Sequence, residues 1–377
     1  MAFAAAEREF VLRCLRTLVR PEASALGAEA STLEGQAAEL LDWSHITSVC
    51  AEARLLPFIA FTCERAGLFE KLPAGARARL TASMLECEAH LALRRKQFQS
   101  VRRLLELSDI EVIPLKGIAL AELIYREFPF RVMGDIDLLI PVESVDRTLA
   151  ILQKEGFRRD SDARPSCQRW HDQILAQSDY AEVQGRVNLS GSFAIDLHWA
   201  PRYIVGHRQI GLDYPAVWRR ARPRPQLGKN VRVLSAPDQA SYLMLHLLES
   251  PVPEPIQLLD LALLLAQHHL PATGICAEIP LRPSERAAVR KIADAIEKLF
   301  LGELAEIPLT DSARGFALGS GRKKERHLVE RILRIPTLRQ RMLFLLGYLV
   351  PSRSYYRDQS MVAMVREHWR RLFQALS

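Results

Sequence analysis

The chain has 377 residues, of which 49% are hydrophobic and 25% charged. Those values exclude a wholly disordered chain, a collagen-like repeat and a disulfide-stapled miniprotein. The 51 lysines and arginines exceed the 44 acids by a net charge of +7, a mild excess that favours an anionic ligand such as a nucleotide phosphate without demanding nucleic acid. The six cysteines, Cys14, Cys50, Cys63, Cys87, Cys167 and Cys276, form no CxxC pair. This argues against a zinc ribbon and for reduced thiols, mostly small core residues, in a cytoplasmic protein. The N-terminus lacks a basic segment followed by an apolar run, so no secretory signal is expected. The apolar stretch from Met342 to Val350 is far short of the ~20 residues of a membrane helix.

Residues 1–108 read as helical almost throughout, with Phe10, Leu12, Leu15, Leu18 and Val19 at helical spacing. Asp42-Trp43-Ser44 precedes a second run, Ile46 to Cys63, in which Pro57 predicts a break or kink. Pro73 and Gly75 introduce a long helix, roughly Ala76 to Leu107. From Ser108 the character changes: a short apolar run (Ile110 to Leu115), Lys116-Gly117, a helical stretch (Ile118 to Tyr125) and a strand (Arg131 to Ile140). Pro141 ends that strand, and Val145 to Gly156 is an amphipathic helix closed by glycine. Strand-like runs at 180–183 and 193–198 follow, which predicts a small mixed sheet with helices on one side. A short helix and a proline-rich loop occupy Asp213 to Arg224. Ser235-Ala236-Pro237-Asp238 opens a second helical region with a leucine-rich, buried segment at Leu258 to Leu265. Gly315 to Lys324 reads as a loop, and Arg326 to Leu349 and Met361 to Leu376 as closing helices. The expected organisation is α+β: a helical region over 1–108, a small mixed-sheet α/β core over 109–234 and a helical region over 235–377.

Chemistry concentrates in Asp135-Ile136-Asp137, within RVMGDIDLLIP. Residues two apart on a strand share a face, so both carboxylates emerge together. Close carboxylates repel unless a cation lies between them, and a divalent metal supplies one; Mg²⁺ favours one or two carboxylates plus waters and substrate phosphates. A lone DxD more often means two solvated acids on an exposed strand edge. Two companions narrow the choice. Lys116-Gly117 lies between a predicted strand and a predicted helix, where glycine permits close backbone approach, the helix N-terminus offers free N–H groups and lysine adds a point charge for phosphate. Asp196, in FAIDLHW, sits on another predicted strand between Ile195 and Leu197. His198 shares its face, either as a contact to a nucleotide or acceptor or as a structural histidine; Trp199 points away. His246 and Asp260 lie on the later helices, where Asp260 supports either the site or a helix contact.

IPLKGIAL (113–120), RVMGDIDLLIP (131–141), IDLHWAP (195–201) and the helical LSAPDQASYLMLHLL…LLDLALLL (234–265) resemble the nucleotidyltransferase superfamily that includes DNA polymerase beta. More narrowly, they look like a bacterial family of uncharacterised nucleotidyltransferases. LLDWSHITSVCAEARLLPFIAF and LVPSRSYYR extend the likeness over roughly residues 10 to 357. The resemblance implies that Asp135, Asp137 and Asp196 are the catalytic carboxylates and the ligands of two Mg²⁺ ions. It places Gly117 in a phosphate loop; in the reaction it implies, Lys116 and Arg131 offset charge that develops on the phosphates. Here Lys116 precedes that glycine, Ile118 follows it, and Gly117 lies 18 residues before Asp135, a departure from the superfamily's glycine loop. The implied reaction moves a nucleoside monophosphate from an NTP, ATP being the expected one, to an acceptor hydroxyl on a small molecule, sugar, peptide or protein. The alternative is a non-catalytic nucleotide-binding or scaffold protein that keeps the fold. Nucleic acid is disfavoured by the 7% aromatic content.

Overall fold

A computed structural model describes residues 5–20, 41–125, 130–159, 180–186, 192–205, 208–249, 254–301 and 369. Helix α1 (Ala5–Val19) is followed by α2 (Trp43–Glu52), α3 (Leu56–Arg65) and the long α4 (Ala74–Glu106). Asp42 caps α2, accepting from the His45 backbone N–H at 3.0 Å. The break expected near Pro57 falls just ahead of it. Proline occupies the first turn of α3, where its missing N–H has no partner to lose, so α2 and α3 are separate helices.

The central region contains β1 (Ile113–Pro114), α5 (Lys116–Leu123), β2 (Asp135–Leu139), α6 (Val145–Lys154), β3 (Arg158–Arg159), β4 (Tyr180–Arg186) and β5 (Ser192–His198). These strands form one sheet in the order β1-β2-β5-β4-β3. β2 and β5 run parallel, and the other pairs are antiparallel. The strand predicted from Arg131 is regular only from Asp135; residues 131–134 approach it as irregular chain. Two hairpins follow, β6 (Arg202–Val205) with β7 (Arg208–Gly211), and β8 (Arg222–Pro223) with β9 (Arg232–Val233), the latter pair flanking α7 (Tyr214–Arg220) on its C-terminal side. The chain then becomes helical in α8 (Ala236–Glu249), α9 (Pro255–Gln267) and α10 (Pro283–Ile296). The fold class is α+β. The expected loop at 315–324, the closing helices and Cys167 lie outside the described residues. The other five cysteines are buried and free. Among the described residues no helix is long and apolar enough to cross a membrane.

Alternation along β2 and β5 divides the apolar interior in two. Ile136, Leu138, Ile195 and Leu197 pack with Phe98, Val101 and Leu105 of α4 and Leu152 of α6. Leu139 joins the other cluster, shared by α1, α2, α3, α8, α9 and α10. Helices therefore cover both faces of the sheet, not the single face that the strand order suggested, because the odd-numbered face of β2 also carries a buried leucine. α4 ties the two clusters together: its N-terminal half contributes Ala76, Leu80 and Cys87 to one, and its C-terminal half contributes Leu91, Phe98, Val101 and Leu105 to the other. At 33 residues and 1.5 Å per residue, it spans about 50 Å.

A buried ion pair joins the approach to β2 with the C-terminal helices. Arg131 Nε and Nη2 donate to the two carboxylate oxygens of Asp260 on α9 at 2.8 and 2.7 Å. The Tyr125 hydroxyl donates to Asp260 Oδ1 at 2.7 Å. Asp260 is 2% exposed and Tyr125 is fully buried, so each charge relies on the other. Removing one partner of such a pair strands a charge, whereas replacing both with apolar residues does not. Asp260→Ala should lose about 3–5 kcal/mol of unfolding free energy, and Arg131→Met/Asp260→Leu should recover much of it. Denaturant unfolding of the three proteins measures both.

Candidate functional site

Pairing of β2 with β5 assembles the acids. Asp137 is directly opposite Asp196, and Leu139 is opposite His198. Asp137, Asp196 and His198 each present one ligand atom, all within 4.8 Å of one another. Asp135 lies one pleat back on the same face, opposite Ala194. Of the expected metal ligands, Asp137 and Asp196 thus converge, and Asp135 stands beside them. His198, expected at the nucleotide or as a structural residue, completes the convergent set. Its two-residue spacing from Asp196 is the signal that places it there. A set of two carboxylates and one imidazole suits a divalent cation that keeps positions open for water and phosphate.

Lys116 closes the site from the other side. The Leu115 N–H donates to the Asp137 backbone carbonyl at 2.9 Å, which sets the start of α5 against β2. Lys116 adopts a left-handed φ of 44°, uncommon for a residue with a side chain. Its Nζ lies 2.6 Å from Asp137 Oδ1 and 5.5 Å from the centroid of the Tyr203 ring. His198 Nε2 lies 3.1 Å from the same carboxylate oxygen. Burial pushes the Asp137 carboxyl up, but Lys116 and then His198 outweigh it and hold the group well below the usual carboxylate range. Burial lowers Lys116, and the Asp137 charge more than restores it, so the ammonium is kept. Asp135 is raised by burial and by Asp137. His198 is lowered, chiefly by burial.

Gly117 sits in the first turn of α5 with no room for a side chain: an added Cβ would stand 2.8 Å from Met133 Cβ. The first turn of α5 has no side-chain cap, which leaves its backbone N–H groups beside Asp137 for an anion. Arg131 does not reach these groups, because its guanidinium is held by Asp260 and by the Val132 carbonyl. Behind Lys116 an aromatic cluster packs: Tyr203 stacks on His246, centroids 5.4 Å apart, and lies 4.9 Å from Tyr242.

A cleft of about 630 Å³ opens between α2, α3 and α4, with Thr47, Ser48, Arg54, Arg79 and Glu86 on its walls and His90 and Val132 at one end. His90 Nε2 lies 2.6 Å from the Met133 carbonyl, two residues before Asp135. One helical turn further along α4, Arg94 acts on the Asp135 charge.

Two measurements probe this packing. Gly117→Ala should cost about 1–3 kcal/mol through overpacking against Met133, read by urea unfolding. Burial and, secondarily, Lys116 lower His246 from 6.5 to about 3. In that window the unfolded chain binds the extra proton, so stability is complete above about pH 6.5 and falls as the pH drops toward 3. His246→Phe should flatten the unfolding free energy between pH 6.5 and 4.

A family model described as uncharacterised nucleotidyltransferase matches residues 39–274. No curated protein matches the chain. The matched segment runs from just before the cap of α2 to shortly past the end of α9 and contains every residue of the acidic site. With more than half of its length covered, the chain belongs to this family of uncharacterised nucleotidyltransferases.

Proposed function

We propose that the protein moves a nucleoside monophosphate from an NTP, ATP foremost, to an acceptor hydroxyl and releases pyrophosphate. The observation that carries this reading is the parallel register that puts Asp137 opposite Asp196 with His198 in reach, beside an uncapped helix start. Asp137, Asp196 and His198 would hold one divalent ion, and Asp135 with Asp137 a second; Mg²⁺ is the ion we expect. When bound, it supplies Lewis acidity at the transferred phosphate and a lowered pKa at the acceptor hydroxyl.

The protein's own groups do the rest. The first N–H groups of α5 receive phosphate oxygens. Lys116 offsets negative charge on the triphosphate as a point donor. Arg131 acts as a positioning residue: anchored on Asp260, it fixes the chain that enters β2 at Asp135. The cleft that reaches His90 and Val132 gives room for the acceptor, with hydroxyl, acidic and basic groups set in a largely apolar lining.

A second reading is a nucleotide-binding protein without turnover. The Lys116 ammonium on Asp137 favours it, since a cation of the protein's own already balances that acid. Calorimetric titration of each NTP with Mg²⁺ and with EDTA separates the two when combined with a pyrophosphate-release assay. Wild type should bind NTP only with Mg²⁺, and Asp135→Asn/Asp137→Asn should lose that binding. Pyrophosphate release in the presence of acceptor supports transfer. Metal-dependent binding with no release under any acceptor supports the second reading, and no NTP binding by the folded protein overturns both.

A further inference from the structure

We propose that Lys116 and a divalent cation exchange places on the Asp137 carboxylate, so that the site loads metal only when the Lys116 ammonium leaves. This rests on the reading that Asp137, Asp196 and His198 hold a divalent ion. Asp137 Oδ1 has Lys116 Nζ at 2.6 Å and His198 Nε2 at 3.1 Å, and it belongs to the only cluster of metal-ligating groups among the described residues. A divalent ion on this carboxylate would meet a monovalent cation almost in contact with it. In surroundings where Asp137 is 3% and His198 6% exposed, their repulsion is weakly screened. Either the ammonium moves or the ion binds poorly.

The backbone is held in place, so the exchange falls to the flexible side chain. Lys116 is the first residue of α5, and its left-handed φ of 44° is a conformation held by its surroundings. The side chain is held by the Asp137 carboxylate and the Tyr203 ring, with the Asp196 charge also acting on it. Once the metal takes the carboxylate, the ammonium needs a new anion, and the triphosphate is the anion the same reading brings. Lys116 then acts twice, as the counter-charge of the metal-free site and as a phosphate contact of the loaded one.

Titration with Mn²⁺, followed by the loss of its free-ion paramagnetic resonance signal, tests the exchange. Lys116→Met should bind Mn²⁺ at least tenfold more tightly than wild type, and Lys116→Met/Asp196→Asn should lose the gain. Equal or weaker binding by Lys116→Met, with wild type binding Mn²⁺, overturns the exchange and leaves the metal site standing. Absence of Mn²⁺ binding in both folded proteins overturns the exchange and the metal site together. A second measurement needs no variant. Acetic anhydride labelling of wild type, read by mass spectrometry, should modify Lys116 severalfold faster with Mn²⁺ than without. A labelling rate unchanged by Mn²⁺ at concentrations that saturate the site overturns the exchange.

Discussion

If β5 slid by one residue along β2, Asp196 and His198 would turn to the opposite face of the sheet and leave Asp137 alone. The pairing of Asp137 with Asp196 is therefore the constraint on which the site depends, and packing enforces it. Ile195 and Leu197 would move with the slip, from the cluster beneath α4 into the acidic face. The apolar alternation and the chemical alternation are one pattern read from two sides. Burial of four aliphatic residues, Ile136, Leu138, Ile195 and Leu197, holds three ligating atoms within 4.8 Å of one another. The parallel pair lies inside the sheet, with β4 along β5 and the two-residue β1 against the end of β2.

Two buried charge pairs frame that register. Lys116 on Asp137 draws the start of α5 onto β2. Arg131 on Asp260 draws the approach to β2 onto α9, across 129 residues of sequence. They differ in kind. The Arg131 pair is bidentate, reinforced by the Tyr125 hydroxyl and distant from solvent, the geometry of a permanent joint. Lysine is a point charge on a flexible stem, and its contact with Asp137 is a single donor to an oxygen that His198 also approaches.

Much of this was legible because it rests on short-range patterns. The spacing of Asp135 and Asp137 placed two acids on one strand face; Asp196 and His198 repeat it three strands later in sequence order. Asp42 and Ser235 marked helix starts, and Ser235 does lie at the head of α8, with its hydroxyl 2.6 Å from Asp238. The limits came from contacts between distant segments. Nothing local to Arg131 points to Asp260, so its placement near the nucleotide followed from the resemblance alone. Gly117 reads as a residue that admits a phosphate, yet the atom its missing side chain would strike belongs to Met133. The hairpins β6–β7 and β8–β9 are too short to build an alternation. The second helical cover of the sheet depends on Leu139, a single residue within an apolar run. His198 was visible as a neighbour of Asp196, but its rank as a ligand needed the distance across to β2.

The stretch that carries the family likeness and the stretch that folds are different lengths of chain. Residues 39–274 omit α1 and α10. Phe10, Leu12 and Cys14 of α1 are wholly buried in the same cluster as α9, and Arg16 Nε donates to the Leu299 carbonyl at 2.6 Å, joining α1 to the segment that directly follows α10. Helices outside the matched segment thus share the apolar cluster that lies against one side of the acidic site's sheet. An excised 39–274 fragment would keep every ligating residue and expose the surface of α9 that packs on α1. For this protein the boundaries of the matched sequence and the boundaries of the buried cluster behind the site do not coincide.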